Sequence, residues 1–102
     1  MAFTKDFLYD LTDQEISLFA KALSHPARLS ILRMLNVDGI CSVEKLSLSH
    51  PLSQPSISQH LRILRKSGLV GCKERTPYTD YWLDREYFQR MKMKLGIYLD
   101  GF

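Results

Sequence analysis

The run PLSQPSISQHLRILRKSG, residues 51–68, constrains this chain more than any other stretch. Ser53 is a good helix N-cap because its hydroxyl can accept a backbone N–H of the first turn, and Pro55 suits that turn, where no intrahelical N–H is lost. Ile57, Leu61 and Leu64 follow at i, i+4 and i+7, and Ser67-Gly68 supplies the stop. At about 100° per residue, Pro55, Gln59, Arg62 and Lys66 fall opposite this apolar stripe, with Ser56 and Ser58 flanking them. A helix that only filled a core would have no use for Ser53, Gln54, Ser56, Ser58, Gln59 and His60 together in its first two turns.

The flanking sequence supplies the partners of that helix. Thr12-Asp-Gln-Glu15 has the form of a capping box, and Ile16, Phe19, Ala20 and Leu23 follow at helical spacing. Ser24 is placed to cap a second helix, with Pro26 in its first turn and Leu29, Leu32 and Leu35 as its apolar stripe, ending before Asn36-Val-Asp-Gly39. Ile40 and Cys41 read as extended. Ser42 can cap a short helix through Val43, Leu46 and Leu48 that ends at Pro51, so two helices joined by a short turn form a helix-turn-helix pattern. Beyond it, Leu69–Lys73 and Asp80–Leu83 alternate like two strands joined by residues 74–79. Asp84 can cap a last helix in which Phe88, Met91, Leu95, Tyr98, Leu99 and Phe102 keep helical spacing. That stripe is large for a small domain. With Phe3, Phe7, Leu8 and Leu11 at the other end, it predicts an intersubunit layer built from both termini, although a terminal helix folded onto its own core has the same pattern.

Composition narrows the function classes. A chain of 102 residues with 45% hydrophobic and 25% charged content fits one globular domain spanning residues 1–102. A domain of this size buries only about 60 to 65% of its surface on folding, so a partner subunit adds useful burial. No apolar run approaches the ~20 residues that cross a bilayer, and the opening MAFTKDFLYD lacks a signal-peptide core, so the expected location is cytoplasmic and no membrane partner is expected. Cys41 and Cys72 sit in neither a CxxC nor a Cys/His ligand spacing, so two free thiols and no cofactor are expected. Ser, His and Asp are present without a GxSxG elbow, phosphate loop or HExxH motif, which argues against an enzyme.

Charge placement points to a polyanion. The net charge is +3, yet between His60 and Arg75 there are five bases (Arg62, Arg65, Lys66, Lys73, Arg75) against one acid, Glu74; nine bases and ten acids make up the remainder. A recognition helix in a major groove needs short donors and acceptors plus amides and guanidinium groups. Gln pairs with adenine, Arg with guanine, and Ser with base or phosphate. Lys73 and Arg75 on the hairpin have the reach and charge for sugar-phosphate contacts, and Tyr78 beside them can stack or hydrogen-bond. The plainer readings are exposed capping residues, a solvated charged surface and an ordinary hairpin. His60 falls nearer the core side of its helix, as a boundary histidine.

Three motifs in order, KALSHPARLSIL (Lys21–Leu32), LSQPSISQHLRILRKSGLV (Leu52–Val70) and the hairpin closing in YWL, resemble the ArsR family of winged-helix transcriptional repressors across nearly the whole chain. The resemblance implies an α+β, mainly α fold: a winged helix-turn-helix in the order α-α-α-α-β-β-α, with a two-stranded β-hairpin wing and terminal helices forming a dimer layer. It also implies a homodimer that binds double-stranded DNA at a pseudo-palindromic operator, with Gln54, Ser56, Ser58, Gln59 and Arg62 at the duplex. The family's effector sites do not carry over. Metal-sensing members place a Cys-Val-Cys pair where this chain has Ser42-Val43-Glu44, and others use Asp and His on the last helix, where this chain has no His from Asp84 to Phe102. The expected effector is therefore not a metal, and there is room for none at all; Cys41 as a redox thiol stands beside Cys41 as a buried inert one. A winged helix can also be a protein-interaction or RNA-binding module, and salt-dependent duplex binding by the 60–75 window separates the two.

Overall fold

The computed structural model describes residues 8–102. The elements are α1 (Leu11–Ala22), α2 (Pro26–Asp38), β1 (Cys41–Ser42), α3 (Val43–Leu48), α4 (Gln54–Lys66), β2 (Val70–Arg75), β3 (Tyr78–Leu83) and α5 (Arg85–Asp100). Helices α3 and α4 form the helix-turn-helix, and β2 and β3 form the wing. The hairpin is longer and tighter than the alternation suggests. Glu74 pairs with Thr79 and Arg75 with Tyr78, so only Thr76 and Pro77 turn the chain where six linking residues were expected. The sheet also has three antiparallel strands in the order β1-β3-β2, because Cys41 and Ser42 pair with Tyr81 and Asp80. The two-stranded wing is thus one part of a larger sheet.

Local capping chemistry sets three helix starts. Ser42 accepts from Lys45 N at 3.2 Å, Ser53 from Ser56 N at 3.3 Å and Asp84 from Tyr87 N at 3.0 Å, as the sequence suggests. Two other starts differ. Helix α1 begins at Leu11 with Asp10 as its N-cap, so Thr12 lies inside the helix and the capping box is not used. His25, not Ser24, caps α2 by accepting from Ala27 N at 3.0 Å, while Ser24 donates to Lys21 O and closes the end of α1.

The core is assembled by Phe19 and Ala22 of α1, Ile31, Leu32 and Leu35 of α2, Leu46 of α3, Ile57, Leu61 and Leu64 of α4, and Leu69 and Val70. Leu29 is exposed, because the buried face of α2 runs through Ile31, and Leu48 is 88% exposed at the end of α3. Gly68 ends α4 at φ 88°, and a Cβ there would stand 2.7 Å from the ring of Tyr87. Glycine at this position meets the backbone demand and the close approach of α5 together.

Helix α5 divides its apolar residues between two surfaces. Phe88 meets Phe19 edge to face at 5.6 Å, Leu95 is half-buried against the core, and Lys94 binds Glu15 of α1 at 2.6 Å. Met91, grouped by its spacing with the intersubunit stripe, is only 1% exposed and belongs to the chain's own core. Leu8, Leu11 and Leu18 remain exposed near α1, as do Met93, Ile97, Tyr98, Leu99 and Phe102 along α5. Phe3 and Phe7, expected in the same layer, lie outside the described residues. Met91→Ala is expected to cost about 2 to 5 kcal/mol, the usual range for truncating a buried Met, seen as a lower urea midpoint at fixed protein concentration. Its sedimentation at native conditions should match the parent chain.

Candidate nucleic-acid interface

Helix α4 presents one continuous polar face. Ser53, Gln54, Gln59, Arg62, Arg65 and Lys66 are exposed, Ser56 and Ser58 are half-exposed beside them, and Ile57, Leu61 and Leu64 fill the opposite side. No carboxylate occurs anywhere in the helix. Its N-terminal end, where backbone N–H groups lack intrahelical acceptors, is therefore positive, as is its base-bearing C-terminal turn. Arg65 extends the basic surface beyond the residues singled out by helical angle.

The wing carries Lys73, Arg75 and Tyr78, all exposed. Arg75 grips Asp80 on the neighbouring strand with both arms of its fork, Nε to Oδ2 at 2.8 Å and Nη2 to Oδ1 at 3.1 Å, and its guanidinium carbon lies 5.8 Å from the Tyr78 ring centre. That hydrogen bond holds the Asp80 carboxyl below the ordinary carboxylate range. The arginine is thus held in one direction and paired with a carboxylate, whereas Lys73 has no ion-pair partner among the described residues. At the base of the wing the indole of Trp82 lies over Gly71, whose Cβ would meet it at 2.7 Å.

Behind the exposed face, α4 is fastened through a side chain that the periodicity hides. Arg28 is only 6% exposed, and its guanidinium donates to Ala22 O at 3.1 Å, Lys21 O at 3.0 Å, Ser24 Oγ at 3.0 Å and His60 Nδ1 at 2.9 Å. Arginine has no lone pair to offer, so His60 must accept at Nδ1, which a doubly protonated imidazolium cannot do. The His25 ring lies 4.4 Å from that of His60. Burial, then His25 and then Arg28, pushes the His60 pKa below its ordinary 6.5. The signal in sequence is an arginine three and four residues before Ile31 and Leu32, on the stripe that faces the core.

This depression sets the sign of a pH effect. The folded chain resists a proton that the unfolded chain accepts, so the stability contributed by neutral His60 is complete above the unfolded value near 6.5 and is lost as pH falls from there toward the lower folded value. The thermal midpoint is expected to drop as the pH is lowered from about 7 through the ordinary histidine range. His60→Asn retains an acceptor oxygen and does not titrate, so it should flatten the His60 part of that fall in a melting series across the same buffers.

The cysteines take their places from the sheet register. Cys41 and Cys72 both pair with Tyr81, from opposite sides of β3, which separates their Cα atoms by two strand spacings, about 10 Å. A disulfide needs less than about 7 Å. Burial pushes the Cys41 thiol pKa up, which disfavours the reactive thiolate. Among the described residues, no cluster of three or more His, Cys, Asp or Glu side chains is arranged to hold a metal ion.

The helix-turn-helix that carries this face is also the segment that relatives share. A family profile described as bacterial regulatory protein, arsR family, matches residues 25–71, from the cap of α2 to the start of β2. The arsenical resistance operon repressor of Staphylococcus xylosus is 31% identical over 84 residues, which cover 82% of this chain and 80% of that protein. The chain belongs to the ArsR family. Among solved structures, HlyU from Vibrio cholerae is 32% identical with a TM-score of 0.69, over 89% of this chain and 99% of that one. The transcriptional repressor BigR from Xylella fastidiosa is 31% identical with a TM-score of 0.65, over 85% of this chain and 86% of that one. As an ArsR-family winged-helix protein, the chain is a DNA-binding transcriptional regulator and not an enzyme. Among the described residues no helix is long and apolar enough to cross a membrane.

Proposed function

We propose that the chain is a cytoplasmic repressor, one domain over residues 1–102, that binds a pseudo-palindromic operator as a homodimer. The observation that carries this reading is the exposed, acid-free face of α4. Gln54, Ser56, Ser58, Gln59 and Arg62 read base edges in the major groove, with Ser53 holding the first turn in shape by its cap. Lys66, Lys73, Arg75 and Tyr78 hold the sugar-phosphate backbone. Repression follows the names of the Staphylococcus xylosus and Xylella fastidiosa relatives, although the Vibrio cholerae relative is named a transcriptional activator. Dimerisation is supported by the exposed Leu8, Ile97, Tyr98, Leu99 and Phe102, the last 90% exposed, which a second copy would cover. No cofactor enters the reading.

Selection of bound duplexes from a random DNA pool tests it: a palindromic winner is expected, and failure to enrich any sequence would favour a protein-interaction or RNA-binding module. On the selected operator, Gln59→Ala or Arg62→Ala is expected to cost about 1 to 3 kcal/mol and relax base preference. Lys73→Ala should weaken all duplexes alike and reduce the salt slope by about one. Leu99→Asp puts a charge on the exposed side of α5 without touching the core. It is expected to sediment as a monomer and to bind the full operator far more weakly, because each half-site is then held alone.

A further inference from the structure

Away from α4 and the wing tip, a cavity of about 300 Å3 opens between the C-terminal half of α2, the end of β3 and the first turn of α5. That volume lies at the small end of the range for ligand pockets, roughly 300 to 1,000 Å3. Its floor is hydrocarbon: Leu32 is buried, and Leu83 and Phe88 are half-buried. Its rim is cationic, with Arg33 and Arg85 both exposed. No acidic side chain lines it, and neither arginine has a carboxylate partner among the described residues.

The two arginines are not equivalent. Arg85 donates to the side-chain oxygen of Asn36, and its Nη2 donates to the Asn36 carbonyl oxygen at 2.7 Å. These bonds fix the plane of the guanidinium and leave three of its five N–H donors free for a further acceptor. The Arg33 side chain makes no hydrogen bond with another described residue and is free to follow a ligand. A pre-set fork and a mobile one, at the edge of an apolar floor, suit a planar anion joined to a hydrocarbon body, since guanidinium matches carboxylate geometry in two-pronged contact. Readout of DNA by α4 does not account for this arrangement.

We propose that this cavity is a binding site for a small amphipathic carboxylate, its headgroup held by Arg33 and Arg85 and its hydrocarbon laid on Leu32, Leu83 and Phe88. The occupant touches α2, β3 and α5 at once, so it reaches the core helix α2, the wing and the terminal helix from one place.

Calorimetric titration of the full chain with octanoate tests this, with acetate, 1-octanol and inorganic phosphate as comparison probes. One saturable octanoate site per chain is expected, with weaker binding of all three comparison probes. Arg33→Ala and Arg85→Ala are each expected to weaken octanoate by about tenfold, a cost near 1.4 kcal/mol. Arg33 has no partner to lose, so its variant keeps the fold and the comparison stands even if loss of the Arg85 bonds to Asn36 loosens α5. Several results would overturn the proposal: no saturable octanoate binding into the millimolar range, equal affinity for 1-octanol, or phosphate bound as tightly as octanoate. So would unchanged binding in Arg33→Ala. Octanoate displaced by raising the protein concentration would assign the cavity to a second copy of the chain and overturn it as well.

Discussion

A cation buried without a counter-charge is the constraint around which the rest of this structure is arranged. Removing a guanidinium from water is costly unless its donors are met, and among the described residues no carboxylate meets them. The Arg28 charge is instead held by the carbonyls of Lys21 and Ala22, at the end of α1 where the helix dipole is negative, by Ser24 and by the lone pair of His60. One side chain therefore joins the end of α1, the start of α2 and the middle of α4. A lysine would not serve, because its compact ammonium cannot span acceptors on three elements in the fixed directions of a fork. The exposed face of α4 takes its position from this buried contact together with Ile57, Leu61 and Leu64.

The features legible in the sequence are those settled within a few residues. The caps at Ser42, Ser53 and Asp84, the stop at Gly68 and the apolar stripe of α4 are local, and each stands where its residue type implies. Several of the departures rest on contacts that the local pattern does not disclose. His25 takes the α2 cap because Ser24 is engaged by Lys21 and Arg28. A two-residue strand at Cys41–Ser42 carries no periodic signal and exists only because β3 offers it an edge. The burial of Met91 depends on the packing of α5 against the core, which spacing along α5 does not disclose.

For the interface, sequence angle alone separates the exposed face of α4 from its core side, since an amphipathic helix has little freedom in which side it buries. It does not reveal what the exposed groups are already doing. Arg75 looks like a free base in a basic window, yet Asp80 occupies both arms of its fork. An ion pair this open to water is screened and contributes little, so Asp80 orients the arginine without locking it away. Lys73 and Arg75 are thus different instruments: one is a mobile point charge and the other a plane with a set direction.

Ser42 has two duties, and the second has a geometric consequence. It pairs with Asp80 in the sheet and at the same time caps α3 through Lys45 N. The central strand β3 thereby links the first helix of the helix-turn-helix directly to the wing, and Asp80 on that strand also holds Arg75 near the tip. The gap between the α4 face and the hairpin tip then works like the fixed jaws of a caliper. For any duplex that touches both, the protein has little give across that span. In the proposed complex, adjustment would fall to the width and curvature of the DNA, so base steps that neither jaw contacts would enter the choice of site through what they cost to deform.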